Sequence, residues 1–138
     1  MALDIYSQRI IDYYKNPKNK GSLENADVEF SDSNLLCGDS LKIYISFSRD
    51  KNKKKRIIRD IKFDGVGCAI SIASASILTE FVKGKSIEEI KKIKNEDVKK
   101  MLGIDLGPVR VKCALLALKV LKMAIYKYEA EELEKSKK

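Results

Sequence analysis

The sequence predicts a fold that contains both strands and helices, with a β-hairpin in the middle of the chain and helices on either side of it. Residues 41–48 alternate between apolar and polar side chains, as in a strand with one buried face, and residues 57–63 form the returning strand. Residues 68–82 are apolar or small at nearly every position, which predicts a helix buried on most of its circumference. A length of 138 residues suits one domain, residues 1–138.

The segments before and within the hairpin follow from spacing and stop signals. Residues 4–15 predict an N-terminal helix that ends in the turn at residues 16–21. Residues 28–30 predict a short strand, and the polar residues 31–34 predict a loop. The basic segment 49–56 connects the two hairpin strands, and we interpret it as a solvated tip.

The second half of the chain predicts helices separated by caps. Lys83 and Gly84 end the buried helix, and Ser86 with Glu89 forms a capping box that opens a short helix. Asn95 is the predicted cap of a helix that runs to about Leu102. We expect a loop over residues 103–110, a last helix from Lys112 onward, and a charged, frayed end over Glu129–Lys138.

Composition and charge limit the classes of function. The chain has 28 basic and 20 acidic residues, a net charge of +8, but its lysines are spread over several segments with few aromatic residues between them. This pattern is typical of a solvated surface and argues against a nucleic-acid-binding protein. Neither an apolar run long enough to span a membrane nor a signal-peptide core is present, so the sequence predicts a cytoplasmic protein with no membrane partner.

The cysteine and histidine counts point to metal or thiol chemistry. Three cysteines are an odd number, which argues against a disulfide framework in a chain without an export signal. Because the chain has no histidine, a metal would be held by thiolate, carboxylate, backbone or an outside ligand. The same absence removes the usual general base of a cysteine hydrolase.

Each cysteine lies at a predicted junction between elements. Cys37 is on a loop before a strand, Cys68 follows Gly65 and Gly67 at a strand-to-helix turn, and Cys113 is at a loop-to-helix turn. Such junctions converge when they lie at the same end of a small sheet. A lone cysteine beside alanine is more often a buried structural residue, but three cysteines in similar settings favour a shared site.

The surroundings of these cysteines favour thiolate ligands. A helix start favours an anion at Cys68, and the nearby cations Arg110 and Lys112 do the same for Cys113. Asp39, two residues after Cys37, adds a carboxylate from the same predicted loop, although an aspartate after glycine also caps turns. Three sulfurs and one oxygen suit zinc or an iron-sulfur cluster better than magnesium or calcium.

Over nearly its whole length the chain resembles the iron-sulfur cluster assembly scaffolds of the IscU, NifU and SufU group. The resemblance is carried by four segments, which are Tyr6-Ser7 with residues 16–21, Cys37-Gly38-Asp39, residues 65–71 continued through residues 79–86, and residues 106–114.

The resemblance implies a fold, a site and a function. The implied fold is α+β, a small antiparallel three-stranded sheet packed against several helices. Cys37, Asp39, Cys68 and Cys113 would bind the cluster or zinc at one exposed end, with Cys37 and Cys113 as candidate persulfide acceptors and Lys112 and Arg110 as modulators. The protein would assemble a [2Fe-2S] cluster from iron and persulfide sulfur and transfer it, as a scaffold rather than a turnover enzyme. The implied partners are a cysteine desulfurase, apo iron-sulfur proteins, an electron donor such as ferredoxin, and a second copy in a homodimer.

Two departures from the group keep an alternative open. Lys112 stands where IscU-type members carry histidine and where SufU-type members carry lysine. The interval between Cys68 and Cys113, however, is too short for the insertion found in SufU-type members. The alternative is a zinc-bound sulfurtransferase in which Cys37 accepts the persulfide. A purely structural zinc module is less favoured, because an aspartate is an unusual fourth ligand for such a site. The segment 106–110 has glycine at the second place of a chaperone-binding motif, which argues against chaperone dependence.

Overall fold

The computed structural model describes residues 8–34, 38–48, 56–103 and 105–136, and within them five helices and three strands. Cys37 and residues 49–55 of the basic connection lie outside these ranges, as do residues 1–7 of the predicted N-terminal helix. The elements, in chain order, are α1 (Gln8–Lys15), β1 (Val28–Asn34), β2 (Asp39–Phe47), β3 (Ile58–Val66), α2 (Ala69–Val82), α3 (Ile87–Lys91), α4 (Asn95–Leu102) and α5 (Pro108–Ser136).

The three strands form one antiparallel sheet in the order β1-β2-β3, which confirms the predicted α+β fold. Leu41, Ile43 and Ile45 of β2 are fully buried, while the residues between them are more exposed. Because strand side chains alternate between the two faces, this pattern defines one helix-covered face. Asp39 has the same parity and therefore lies on the covered face, at its edge.

Helices α2 and α5 cover the sheet. Helix α5 packs on β1 and β2, α2 packs on β3, and the two helices pack on each other. Ser74 Oγ of α2 donates a 2.6 Å hydrogen bond to the carbonyl oxygen of Ala114 in α5. Small side chains at this contact let the two backbones approach closely, and the hydrogen bond fixes their relative position.

The ends of the helices confirm two predicted caps and correct a third. Lys83 is the C-cap of α2, and Ser86 and Glu89 form the predicted capping box of α3. Helix α4 has Lys94, not Asn95, as its N-cap. The backbone N–H of Lys94 donates to Asp97 Oδ2 at 2.8 Å, so a carboxylate three residues on supports the helix start.

Two segments predicted as loops belong wholly or partly to regular elements. Residues 31–34 belong to β1 because their backbones pair with β2, and an edge strand needs few apolar side chains for that pairing. Helix α5 begins at Pro108, four residues before the predicted start, because proline is favoured at the first position of a helix, where no N–H donor is required.

The charged C-terminal end is helical as far as Ser136. Its fraying in solution therefore stays a prediction, as does the organisation of residues 1–138 as one domain. In the parts of the chain that the structure describes, no helix combines the length and the apolar character needed to cross a lipid bilayer.

Candidate metal centre

Three of the four predicted ligands converge at one end of the sheet. A carboxylate oxygen of Asp39 and the Sγ atoms of Cys68 and Cys113 all lie within 4.8 Å of one another. Cys68 and Cys113, the cysteines within the described ranges, form no disulfide, so each is a thiol. The fourth predicted ligand, Cys37, lies outside the described residues, and its place in the site stays a prediction.

Asp39 is the first residue of β2, where its backbone pairs with Asn34. This corrects the prediction that it lies on a loop, because the longer β1 extends the backbone pairing to Asp39 at the start of β2. Its side chain is only 1% exposed, and Oδ1 accepts a 2.9 Å hydrogen bond from the backbone N–H of Cys68. The carboxylate is therefore anchored, and it links the start of β2 to the start of α2.

Among the residues that the structure describes, the second carboxylate oxygen of Asp39 finds no hydrogen-bond partner although it is buried. Leaving a charged oxygen unpaired away from water is costly, so such an atom in a native fold calls for an explanation. A metal ion held together with the two nearby sulfurs would satisfy it. Two thiolates and one carboxylate are a donor set that fits zinc or iron, with further ligands supplied by another residue or a bound group.

Cys68 is the N-cap of α2, as the sequence predicts for a strand-to-helix turn. Its backbone is extended, with φ −73° and ψ 170°, and its side chain makes no capping hydrogen bond. The sulfur is thus not engaged in closing the helix. Cys68 is half-buried, which makes it the more accessible of the two described thiols.

Cys113 lies inside α5, in its second turn, and not at the predicted loop-to-helix turn. The residue is 0% exposed and belongs to the hydrophobic core. Its position is fixed by the hydrogen bond between Ser74 and the adjacent Ala114. With Asp39 also buried and Cys68 half-buried, the three described ligands are more enclosed than an exposed site would be, and the exposure of the whole site, which includes Cys37, stays a prediction.

Gly65 and Gly67 allow the start of β2 to lie close to the turn before α2, because neither has a side chain. Gly65 has φ +142°, and a Cβ atom there would overlap the carbonyl oxygen of Ser40 in β2. A Cβ atom on Gly67 would lie 2.8 Å from Asp39 Oδ1 and 3.1 Å from the Cβ atom of Ser71. The carboxylate therefore occupies the space that any larger residue at position 67 would need.

A basic groove adjoins the site along α5. It has a volume of about 400 Å³, and its lining includes Lys112, Lys119 and Lys122 together with Leu115 and the end of β1. Lys119 pairs with Asp32 of β1 at 3.0 Å, and this hydrogen bond lowers the pKa of the Asp32 carboxyl below its usual value.

Of the two predicted modulators, Lys112 is exposed and lines this groove, while Arg110 is partly buried in the first turn of α5. Arg110 precedes Cys113 by three residues, a spacing that places both on one side of the helix. An effect of either cation on the thiol remains a prediction.

The sequence analysis did not identify Ser71 as part of the site. The residue is 0% exposed, its hydroxyl has no hydrogen-bond partner within the described ranges, and its Cβ atom lies beside Gly67. The available signal was its place in the third position of α2, where a side chain points back toward the N-cap residue.

Comparisons with known proteins agree with this architecture. Residues 5–135 match the model of the NifU-like N terminal domain family. The chain is 40% identical over 129 residues to the iron-sulfur cluster assembly scaffold protein IscU of Escherichia coli, covering 91% of this chain and 95% of that protein. It is 41% identical over 130 residues to the protein of the same name from Haemophilus influenzae, covering 92% and 98%.

Solved structures show the same likeness. A crystal structure described as a putative iron-sulfur cluster assembly scaffold protein for the SUF system, from Fervidobacterium islandicum, superimposes with a TM-score of 0.70 at 36% identity, covering 88% of this chain and 96% of that one. A NifU-like N-terminal structure from Brucella abortus, 22% identical, shares the fold with a TM-score of 0.70 over 91% and 95% of the two chains. The chain described here therefore belongs to the NifU-like N terminal domain family.

Proposed function

We propose that this protein is a scaffold on which an iron-sulfur cluster is assembled and from which the cluster is transferred to apo-proteins. The observation that carries the proposal is the convergence of Asp39, Cys68 and Cys113, with one buried carboxylate oxygen that has no partner in the described part of the chain. The names of the relatives from Escherichia coli and Haemophilus influenzae support the same function. The cluster is the cargo of this reaction, and [2Fe-2S] is the form that we expect.

The chemistry of assembly requires sulfur, iron and electrons. A cysteine desulfurase would supply sulfur as a persulfide, with Cys37 and Cys113 as the candidate acceptors. Two electrons cleave the persulfide S–S bond and leave a cysteine thiolate and sulfide, so an electron donor such as ferredoxin is required. Cys113 is fully buried and Cys68 is half-buried. Cys113 would therefore have to become accessible before it could accept sulfur directly.

The mixed donor set suits a site that must both hold and release its cargo. A carboxylate is a harder and weaker ligand for iron than a thiolate, so Asp39 is the expected point of exchange. Because Asp39 is buried and bound to the N–H of Cys68, exchange would involve the oxygen that has no partner rather than a swing of the whole residue. The other oxygen remains held by the protein during this step.

Reconstitution tests this proposal. Under anaerobic conditions with iron, cysteine and a desulfurase, we expect the protein to acquire equal amounts of iron and acid-labile sulfide and the absorption spectrum of a cluster. Cys68→Ser should lose most of the cluster. Ser40→Ala is the matched control, because Ser40 follows Asp39 in β2 but is exposed on the opposite face. Incorporation of zinc alone, without sulfide, would contradict the proposal.

A zinc-bound sulfurtransferase is the second candidate, and Lys112, which stands where SufU-type members also carry lysine, supports it. In that case the protein as isolated would contain zinc, and it would accept labelled sulfur from the desulfurase without binding iron. We further expect a cytoplasmic protein. We also expect it to form a homodimer, and size-exclusion chromatography with light scattering would test the oligomeric state.

A further inference from the structure

The buried hydroxyl groups of α2 differ in one respect. Ser74 donates to the carbonyl oxygen of Ala114 at 2.6 Å, Ser76 accepts from the backbone N–H of Lys18 at 2.6 Å, and Thr79 donates to the carbonyl oxygen of Ala75 at 2.7 Å. Ser71 is equally buried, yet its hydroxyl has no partner among the described residues. The hydroxyl without a described partner is thus the one closest along α2 to its N-cap, Cys68.

The position of Ser71 explains why the helix does not use its hydroxyl. A buried serine inside a helix can donate to the carbonyl oxygen four residues earlier. For Ser71 that residue is Gly67, which lies before the helix. The N–H of Cys68, which donates to a Glu or Gln at this position in a capping box, already donates to Asp39 Oδ1. Neither of the usual local partners therefore engages the Ser71 hydroxyl.

The Asp39 carboxylate lies across Gly67 from Ser71. A Cβ atom placed on Gly67 would be 3.1 Å from the Cβ atom of Ser71 and 2.8 Å from Asp39 Oδ1, so both side chains border the same small space. An ionised carboxylate only accepts hydrogen bonds, and a hydroxyl can donate one. The site therefore contains an unused donor beside a carboxylate that has one unused oxygen.

We propose that Ser71 is a positioning residue whose hydroxyl donates a hydrogen bond to the Asp39 carboxylate when a metal ion binds. Metal coordination takes up the Asp39 oxygen that has no partner and fixes the rotation of the carboxylate. The hydroxyl and the N–H of Cys68 then hold the other oxygen, and Asp39 binds the metal through a single oxygen. This inference rests on the metal-binding role proposed above.

The proposal predicts opposite effects on the two states of the protein. In the metal-free protein the Ser71 hydroxyl is buried and unsatisfied, so its removal should relieve a penalty. In the metal-bound protein the same removal should take away a hydrogen bond to a charged acceptor. Ser71→Ala should therefore raise or preserve the stability of the metal-free protein while weakening metal binding by roughly tenfold.

Cobalt(II) titration of the metal-free full chain under anaerobic conditions tests this proposal. For Ser71→Ala we expect the weaker affinity, shifted d–d bands, and an unchanged thiolate-to-cobalt absorption per bound ion, because both thiols remain. Urea unfolding of the metal-free variant should show no loss of stability. Ser74→Ala is the matched control, and it should lower stability because it removes a hydrogen bond that the structure contains.

Three results would overturn the inference. These are a cobalt affinity unchanged by Ser71→Ala, a loss of metal-free stability equal to that of Ser74→Ala, or a fall in thiolate absorption per bound ion, which would place the effect at a sulfur. If the wild-type chain bound no cobalt, the inference and the metal site would both be wrong. If cobalt binding behaves as expected but no cluster forms with iron and a desulfurase, only the proposed function fails.

Discussion

Gly67→Ala is the sharpest test of how the fold positions the Asp39 carboxylate. The substitution adds a single methyl group at a position where the backbone is not in the left-handed region, so steric contact is the only new cost. The new Cβ atom would meet Asp39 Oδ1 at 2.8 Å, Asp39 Cγ at 3.2 Å and Ser71 Cβ at 3.1 Å. All three contacts are shorter than ordinary van der Waals contact, which begins at 3.4 Å.

The size of the effect follows from these distances. To restore ordinary contact, the carboxylate would have to move by about half an ångström, whereas metal-ligand distances tolerate about 0.2 Å. The same movement lengthens the 2.9 Å hydrogen bond from the N–H of Cys68. We expect the affinity for Co²⁺ to fall about 10-fold to 100-fold, as it does when the groups that orient a ligand are disturbed. Overpacking of this kind also destabilises the fold by about 1–3 kcal/mol.

The assay is anaerobic Co²⁺ titration followed by absorption, with urea unfolding of the metal-free protein. Gly107→Ala is the control, because a Cβ atom on Gly107 meets nothing within 4 Å and its backbone is also outside the left-handed region. It should bind Co²⁺ as the wild type does. Wild-type affinity and stability in Gly67→Ala would refute the reasoning, since they would show that the carboxylate is not held against position 67.

Three further predictions concern the two described cysteines, the Asp39 ligand, and Tyr128 at the opposite end of the sheet. Cys68→Ser and Cys113→Ser should both weaken Co²⁺ binding. Only Cys113→Ser should also lower the free energy of unfolding, by about 1–3 kcal/mol, because it places a hydroxyl at a fully buried position. Equal urea midpoints for the two variants would contradict this. Asp39→Cys should slow cluster transfer to an apo-ferredoxin, because a thiolate binds iron more firmly than a carboxylate, and transfer at the wild-type rate would make the aspartate structural only. Tyr128 packs against Phe47 with 4.3 Å between ring centroids, and burial raises the pKa of its phenol. The difference in stability between the wild type and Tyr128→Phe should therefore be constant below the pKa of about 10 that tyrosine has in the unfolded chain. As the pH rises above that value, the wild type should lose stability relative to Tyr128→Phe. A difference in urea midpoint that stays constant from about pH 8 upward would contradict this.

Several features of the fold could be predicted from the sequence because they depend on local patterns. The alternation around Ile43 defines β2 and its buried face, and the Ser86 capping box appears as predicted. Cys68 lies at a helix start because a strand and two glycines precede an apolar run, all within a few residues. In each case the chemistry that decides the structure lies within one or two turns of the residue concerned.

The tertiary structure alone decided how the site is enclosed and which groups hold it. Residues 31–34 form strand because they pair with β2, and this pairing extends β2 to Asp39. Cys113 is buried because α5 begins at Pro108 and packs on α2 through the hydrogen bond from Ser74. The roles of Gly67 and Ser71 depend on contacts with Asp39, which is about thirty residues away in sequence. The reason is physical, since backbone pairing and side-chain burial depend on distant partners that no local pattern of apolar and polar residues encodes.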